Sequence, residues 1–129
     1  MIAANRRLRK HADYQRVYKA SRKQFGKQMS YFFLLHGPDQ TNANADGARV
    51  GLTVGKAMGK AVERNRIKRR MREAVRRQLE LLPAPVDVVL HPRRSVIDLD
   101  FATLEREVAS VFRAIRKAAQ KASAQPPAD

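Results

Sequence analysis

This sequence predicts an α+β fold, a two-layer α/β sandwich with one sheet and helices packed on it in the order α-β-β-β-α-β-α, and three observations carry that prediction. Apolar residues recur at helical spacing in three segments, 8–20, 62–82 and 101–121. Between them lie short β-branched and aromatic runs closed by turn residues, which read as strands. The chain has 129 residues, 43% of them hydrophobic, and no cysteine, enough to bury a core without covalent staples. A single domain over residues 1–121 follows, with 122–129, which contain Pro126-Pro127, as a tail.

In the first helix Tyr14, Val17 and Tyr18 share one side behind Asp13. Met29 to Leu35 is a buried strand ending at Gly37-Pro38, preceded by a shorter one around Lys23-Gln24-Phe25. Residues 37–48 are polar turn formers and read as an exposed connector to which no function is assigned. Arg49 to Val54 is the next strand, and a Gly/Lys connector, Gly55 to Lys60, leads into a long helix from near Val62 to about Leu82, where Pro83 and Pro85 stop it. Val86 to Leu90 is a further strand, closed by His91-Pro92. Asp98 or Asp100 caps a final helix with Leu104, Val108, Val111, Phe112 and Ile115 on one stripe.

Charge narrows the function. Against 12 Asp+Glu stand 27 Lys+Arg, a formal net charge of +15. Such an excess repels itself unless an anion offsets it, and nucleic acid is the commonest partner that does so; anionic membrane surfaces and acidic proteins are the other classes. The lack of cysteine excludes disulfide frameworks, thiolate metal sites and cysteine nucleophiles, and it suits a reducing, cytoplasmic setting. No apolar stretch long enough for a signal-peptide core or a membrane span is found, so a soluble protein without a membrane partner is expected.

The charge is concentrated. Lys56, Lys60, Arg64, Arg66, Lys68, Arg69, Arg70, Arg72, Arg76 and Arg77 face only Glu63 and Glu73 in the same segment. On a helix, Ile67, Met71, Ala74 and Val75 form an apolar stripe, while Asn65, Arg69, Arg72 and Arg76 fall within a sector of roughly 60° on the far side. Lys68/Arg72 and Arg72/Arg76 are like-charge pairs at i,i+4, which destabilise an isolated helix. A row of guanidinium groups on a rigid face matches successive phosphates of a nucleic-acid backbone; the alternative is a merely solvated face. Asn65 either caps the helix or reads a base edge or sugar hydroxyl. Tyr14 and Tyr18, four apart, are placed to stack on unpaired bases, and Tyr31, Phe32 and Phe33 lie on a strand that can face them. Core packing is the competing reading for each aromatic.

Enzyme readings have less support. Hydrolysis with two metals needs clustered carboxylates, whereas Asp98 and Asp100 read as caps and Asp87 sits mid-strand. His36 and His91 both end strands, which leaves a protein-only nuclease with a histidine acid–base pair as the minor alternative. Gly55-x-x-x-Gly59-Lys60-Ala61 is one residue short of a nucleotide-binding loop and lacks its Ser/Thr. A structural ribosomal-RNA-binding protein shares the size and charge and is the other alternative.

Two segments decide among these. Arg49-Val50-Gly51-Leu52-Thr53-Val54-Gly55-Lys56 and Ala61-Val62-Glu63-Arg64-Asn65-Arg66-Ile67-Lys68-Arg69-Arg70-Met71-Arg72-Glu73, with Asp13-Tyr14-Gln15-Arg16-Val17-Tyr18 and the Val-Asp-Val-Val strand, closely resemble the bacterial ribonuclease P protein family over roughly residues 8–119. The resemblance implies a sandwich whose basic helix joins two parallel strands by a left-handed crossover, against the general chirality rule. It implies an accessory to a catalytic RNA, monomeric in a 1:1 complex, that promotes endonucleolytic removal of the 5′ leader of precursor tRNA. The RNA supplies the chemistry, Mg2+ is needed by the holoenzyme, and no catalytic or metal-binding residue belongs to the protein. Arg64, Asn65, Arg66, Lys68, Arg69 and Arg72, with Arg76 on the same face, match the motif that meets the catalytic RNA. Tyr14 and Tyr18 match aromatics of a leader-binding cleft, with Phe32 preferred over Tyr31 and Phe33 as the strand aromatic and Lys56 and Lys60 beside them. Many relatives carry a second lysine where this chain has Ala57, so that role is either absent or taken by Lys60.

Overall fold

Alternation along one central strand organises the molecule. The computed structural model describes residues 7–8, 10–35, 47–83 and 86–124. Its four strands are β1 (Gln24–Phe25), β2 (Met29–Leu35), β3 (Arg49–Leu52) and β4 (Val86–Pro92), in the sheet order β1-β2-β4-β3. Strand β4 lies between β2, antiparallel with Phe32 opposite Val89, and β3, parallel with Gly51 opposite Val89. Successive strand residues point to opposite faces. Val86, Val88 and Leu90 therefore enter one apolar cluster, while Val89 enters another on the reverse side.

The larger cluster lies under α2 (Ala61–Gln78) and α3 (Phe101–Ala124). Helix α2 buries Ile67, Met71, Ala74 and Val75, the four residues of its apolar stripe. Leu104, Val108, Phe112 and Ile115 of α3 are fully buried against the same core. Asp100 starts α3 by accepting the Thr103 N–H at 2.7 Å, so of the two expected caps it is Asp100 that bonds. On the opposite face α1 (His11–Ala20) lays Val17 over Val89, with Leu8 beside them. The main sandwich thus has two layers, and α1 adds a short third layer over part of the reverse face.

Boundaries shift modestly from the sequence reading. Helix α1 begins at His11 and not at residue 8, where Leu8 instead donates its N–H to the Val50 carbonyl at 3.1 Å along the edge of β3. Strand β3 ends at Leu52, and α2 gives way at Gln78 to a tight turn, Leu79–Leu81. Strand β4 runs through His91 to Pro92, because pairing with Ser30 and Met29 extends it two residues. Helix α3 continues to Ala124, past the expected start of the tail at 122. Most of the expected connector over 37–48, and the tail from 125, lie outside the described residues.

Candidate nucleic-acid interface

Helix α2 starts where Gly59 turns the chain, with φ 131°, a region L side chains avoid; a Cβ there would also crowd the Glu63 side chain at 3.1 Å. Glu63 accepts the Lys60 N–H at 3.2 Å and pairs with Arg94 at 2.9 Å. Those two contacts, the backbone one first, hold its carboxyl below the usual range. Beyond this point the cations of α2 divide into two sets. Arg70 donates to the Leu99 carbonyl at the start of α3. Arg76 grips Glu73 through Nε and Nη2 at 3.1 and 2.6 Å. Arg77 reaches Glu73 at 3.1 Å and Glu105 at 3.5 Å, and lies over the Phe101 ring at 4.9 Å. Hydrogen bonds from Arg76 and then Arg77 lower the Glu73 carboxyl to about 2.

Arg64, Arg66, Lys68, Arg69 and Arg72 form the second set, and among the described residues no carboxylate pairs with them. Successive helix residues turn by about 100°, so Arg64, Asn65 and Arg66 point three ways. Asn65 and Arg66 are exposed, whereas Arg64 is partly buried and its Nε is enclosed without a hydrogen-bond partner. Val62, 77% exposed, shares a shallow hollow with Asn65, Lys68, Arg69 and Arg72. An aliphatic side chain thus sits amid the cations.

Lys68 and Arg72 also turn toward the sheet edge. With Arg7, Tyr14 and Gly51 they line a cavity of about 110 Å³ that no carboxylate borders. Burial first, and Arg7 second, lower the pKa of Arg72. Gly51 makes the close approach possible: a Cβ there would lie 2.5 Å from the Tyr14 hydroxyl oxygen. That hydroxyl donates to the Leu8 and Leu52 carbonyls at 3.3 and 3.5 Å, and burial raises its pKa.

One turn along α1, Tyr18 is the centre of an aromatic group. Its ring meets Phe32 edge-on at 4.9 Å, and its hydroxyl bonds His91 Nε2 at 3.0 Å and Thr53 Oγ1 at 3.2 Å. Phe32 and His91 rings are 5.3 Å apart. Burial, and then the charge of Lys23, push the His91 pKa down, disfavouring the charged imidazolium. A buried brace fixes α1 over this group. Arg49 holds Asp87 through two hydrogen bonds of 2.9 and 2.8 Å and reaches Asp13 of α1 at 3.7 Å.

Comparison with known proteins bears on this arrangement. The family model described as Ribonuclease P matches residues 2–116. The chain belongs to the ribonuclease P protein family. Its role is that of the protein subunit of ribonuclease P. It is 37% identical over 107 residues to the ribonuclease P protein component of Bacillus velezensis, covering 83% of this chain and 86% of that one. With the component of Finegoldia magna it shares 33% identity over 115 residues, 89% of this chain and 92% of the other. The solved ribonuclease P protein of Thermotoga maritima superposes with a TM-score of 0.70 at 27% identity, covering 84% of this chain and 96% of that one. The Staphylococcus aureus protein gives 0.68 at 28%, covering 84% and 94%.

Within this ribonuclease P protein the expected residues fall into place unevenly. Tyr14, Tyr18 and Phe32 share the α1 face of the sheet, while Tyr31 and Phe33 point into the opposite core. Arg64, Arg66, Lys68, Arg69 and Arg72 have no carboxylate partner among the described residues and Asn65 is exposed, whereas Arg76 is engaged by Glu73. Lys56 and Lys60 are exposed on the connection that follows Thr53, the residue bonded to Tyr18. His91 is the residue whose place sequence reasoning missed. Read as a strand end, it lies inside β4, and its partner Tyr18 is 73 residues away. The only local signal was its position two residues beyond Val89 on the same face.

Proposed function

We propose that this chain gives a catalytic RNA its grip on substrate, one chain to one RNA, in the cytoplasm. Arg64, Asn65, Arg66, Lys68, Arg69 and Arg72 dock on the folded RNA, and Arg76 joins them by exchanging Glu73 for a phosphate. Tyr14, Tyr18 and Phe32, with Lys56 and Lys60, hold the single-stranded 5′ leader of precursor tRNA. Cleavage of the leader, and the Mg2+ it requires, belong to the RNA.

The observation that carries this reading is the sorting of the α2 cations. Arg76 and Arg77 are spent on Glu73, and Arg70 on the Leu99 carbonyl, whereas Arg64, Arg66, Lys68, Arg69 and Arg72 have no carboxylate partner among the described residues. Through Lys68 and Arg72 the unpaired set runs directly into the cavity beside Tyr14, so one continuous surface offers phosphate contacts and aromatic rings. Carboxylates meanwhile serve architecture: Asp13 and Asp87 on Arg49, Glu63 on Lys60 and Arg94, Glu73 on Arg76 and Arg77, Asp100 at a helix start.

Reconstitution tests it. Precursor tRNA is incubated at low Mg2+ with the catalytic RNA alone, the protein alone, or both. Cleavage is expected efficiently with both, weakly with RNA alone and not at all with protein alone. Leader release by protein freed of RNA overturns the proposal, as do equal rates with and without protein.

A further inference from the structure

Two large apolar side chains stand out in solvent among the described residues, and one of them, Phe25, is an aromatic ring 70% exposed on the outermost strand. Its register ties it to the cleft. Phe25 lies opposite Ser30, and Ser30 lies opposite His91. Residues directly opposite one another share a face of the sheet, so Phe25, Ser30 and His91 form a row on the face that carries α1. Two strand spacings, about 10 Å, separate the ends of that row. At one end Tyr18 covers His91, but α1 stops at Ala20 and Phe25 is left open. Ser30, small and 8% exposed, makes a low floor between them.

Charge on this segment has one sign. Lys23 sits with its Nζ 5.6 Å from the Phe25 ring centroid, and its charge is felt at His91. Arg22 and Lys27 are exposed nearby, and no acid occurs between Arg22 and Leu35. Glu107 of α3 lines one hollow together with Phe25 and Lys27, but the group placed over the ring itself is the Lys23 ammonium. A bare ring beside a cation suits a nucleotide, the base stacking on the ring and its phosphate meeting the ammonium.

We propose that Phe25 and Lys23 form a further subsite of the cleft, stacking an unpaired base of the leader beyond the one held at Tyr18 and Phe32. The subsite rests on the leader-binding reading above. Stacking accepts any base, so it lengthens the gripped segment without selecting sequence. Precursor tRNAs with a short leader, ending at the Tyr18 group, and with a longer one are therefore distinguished by this residue.

The test measures affinity of the reconstituted RNA–protein complex for precursor tRNAs of both leader lengths and for mature tRNA. In Phe25→Ala the ratio of long-leader to short-leader affinity is expected to fall about five-fold or more. Tyr18→Ala is expected to lower affinity for both leader lengths relative to mature tRNA. Phe25→Trp restores stacking and adds a fluorophore to a chain with no tryptophan; its emission should change with the long leader and not with the short one. If the unsubstituted complex binds leader-bearing and mature tRNA alike, the leader-binding reading fails and takes this one with it. If that discrimination holds but Phe25→Ala keeps the full long-leader ratio, or Phe25→Trp emission ignores the long leader, the Phe25 subsite alone is overturned.

Discussion

The two faces of the sheet are built from different chemistry. Under α2 and α3 lie Met29, Ile67, Met71, Leu90, Leu104, Phe112 and Ile115, all fully buried, with Tyr31 the one ionisable side chain of that cluster among the described residues. Under α1 the buried apolar set among the described residues is Leu8, Val17 and Val89. Around it pack the partly buried Tyr14, Tyr18, Phe32 and Leu34, together with hydroxyls on carbonyls, an imidazole, and the Arg49–Asp87 brace. Apolar area stabilises in proportion to what is buried, at roughly 25 cal/mol per Å². The first face therefore holds the fold, and the second holds a geometry. A helix positioned by a few directional contacts over half-exposed rings can serve a ligand, because the rings are not consumed in closing the core.

That contrast can be broken at its strong side first. Phe112→Ala removes the largest fully buried side chain of α3 and should cost about 3–5 kcal/mol; urea denaturation would show the midpoint fall. Replacing Arg49 by Met removes the two hydrogen bonds that the guanidinium gives the buried Asp87 carboxylate and is expected to cost about 3 kcal/mol. Replacing Asp87 at the same time with an apolar residue of similar volume should recover much of that loss, since the desolvation of both charges disappears.

Weaker effects sharpen the comparison on the α1 side. Gly51→Ala places a Cβ 2.5 Å from the Tyr14 hydroxyl oxygen and 3.0 Å from Leu8 Cβ. An overpacking cost of about 1–3 kcal/mol is expected, together with a larger loss in discrimination between leader-bearing and mature tRNA than in overall stability. The pH response should be smaller still. Burial lowers the His91 pKa below its unfolded value of 6.5, so at mildly acidic pH the unfolded chain binds more protons than the folded one. The contribution is complete above pH 6.5 and is lost as pH falls through the folded pKa. Thermal melts from pH 7.5 downward should show it, and His91→Gln should remove that part of the slope. Last, Arg69→Gln should reduce the salt dependence of RNA binding by about 0.7 to 0.9 in log K per decade of salt, with stability unchanged.

Residue pattern by itself was enough for the stripe of Ile67, Met71, Ala74 and Val75, for the strands over Met29–Leu35 and Val86–Leu90, and for the basic character of α2, because helix and strand periods act within a few residues. The likeness of the Arg-Asn-Arg segment to its family pointed to RNA. Tertiary structure alone decided which cations stay unpaired. Arg76 looks like Arg72 in sequence, but its position faces Glu73 while Arg72 faces the Tyr14 cavity. It also decided that Phe32 and not Phe33 joins Tyr18, and that His91, Arg49 and Asp87 matter. The Arg49–Asp87 and Tyr18–His91 pairings span 38 and 73 residues, and all of these contacts depend on the register of β2, β4 and β3. Local preference sets the elements, but a one-residue slip in that register would turn every side chain to the other face.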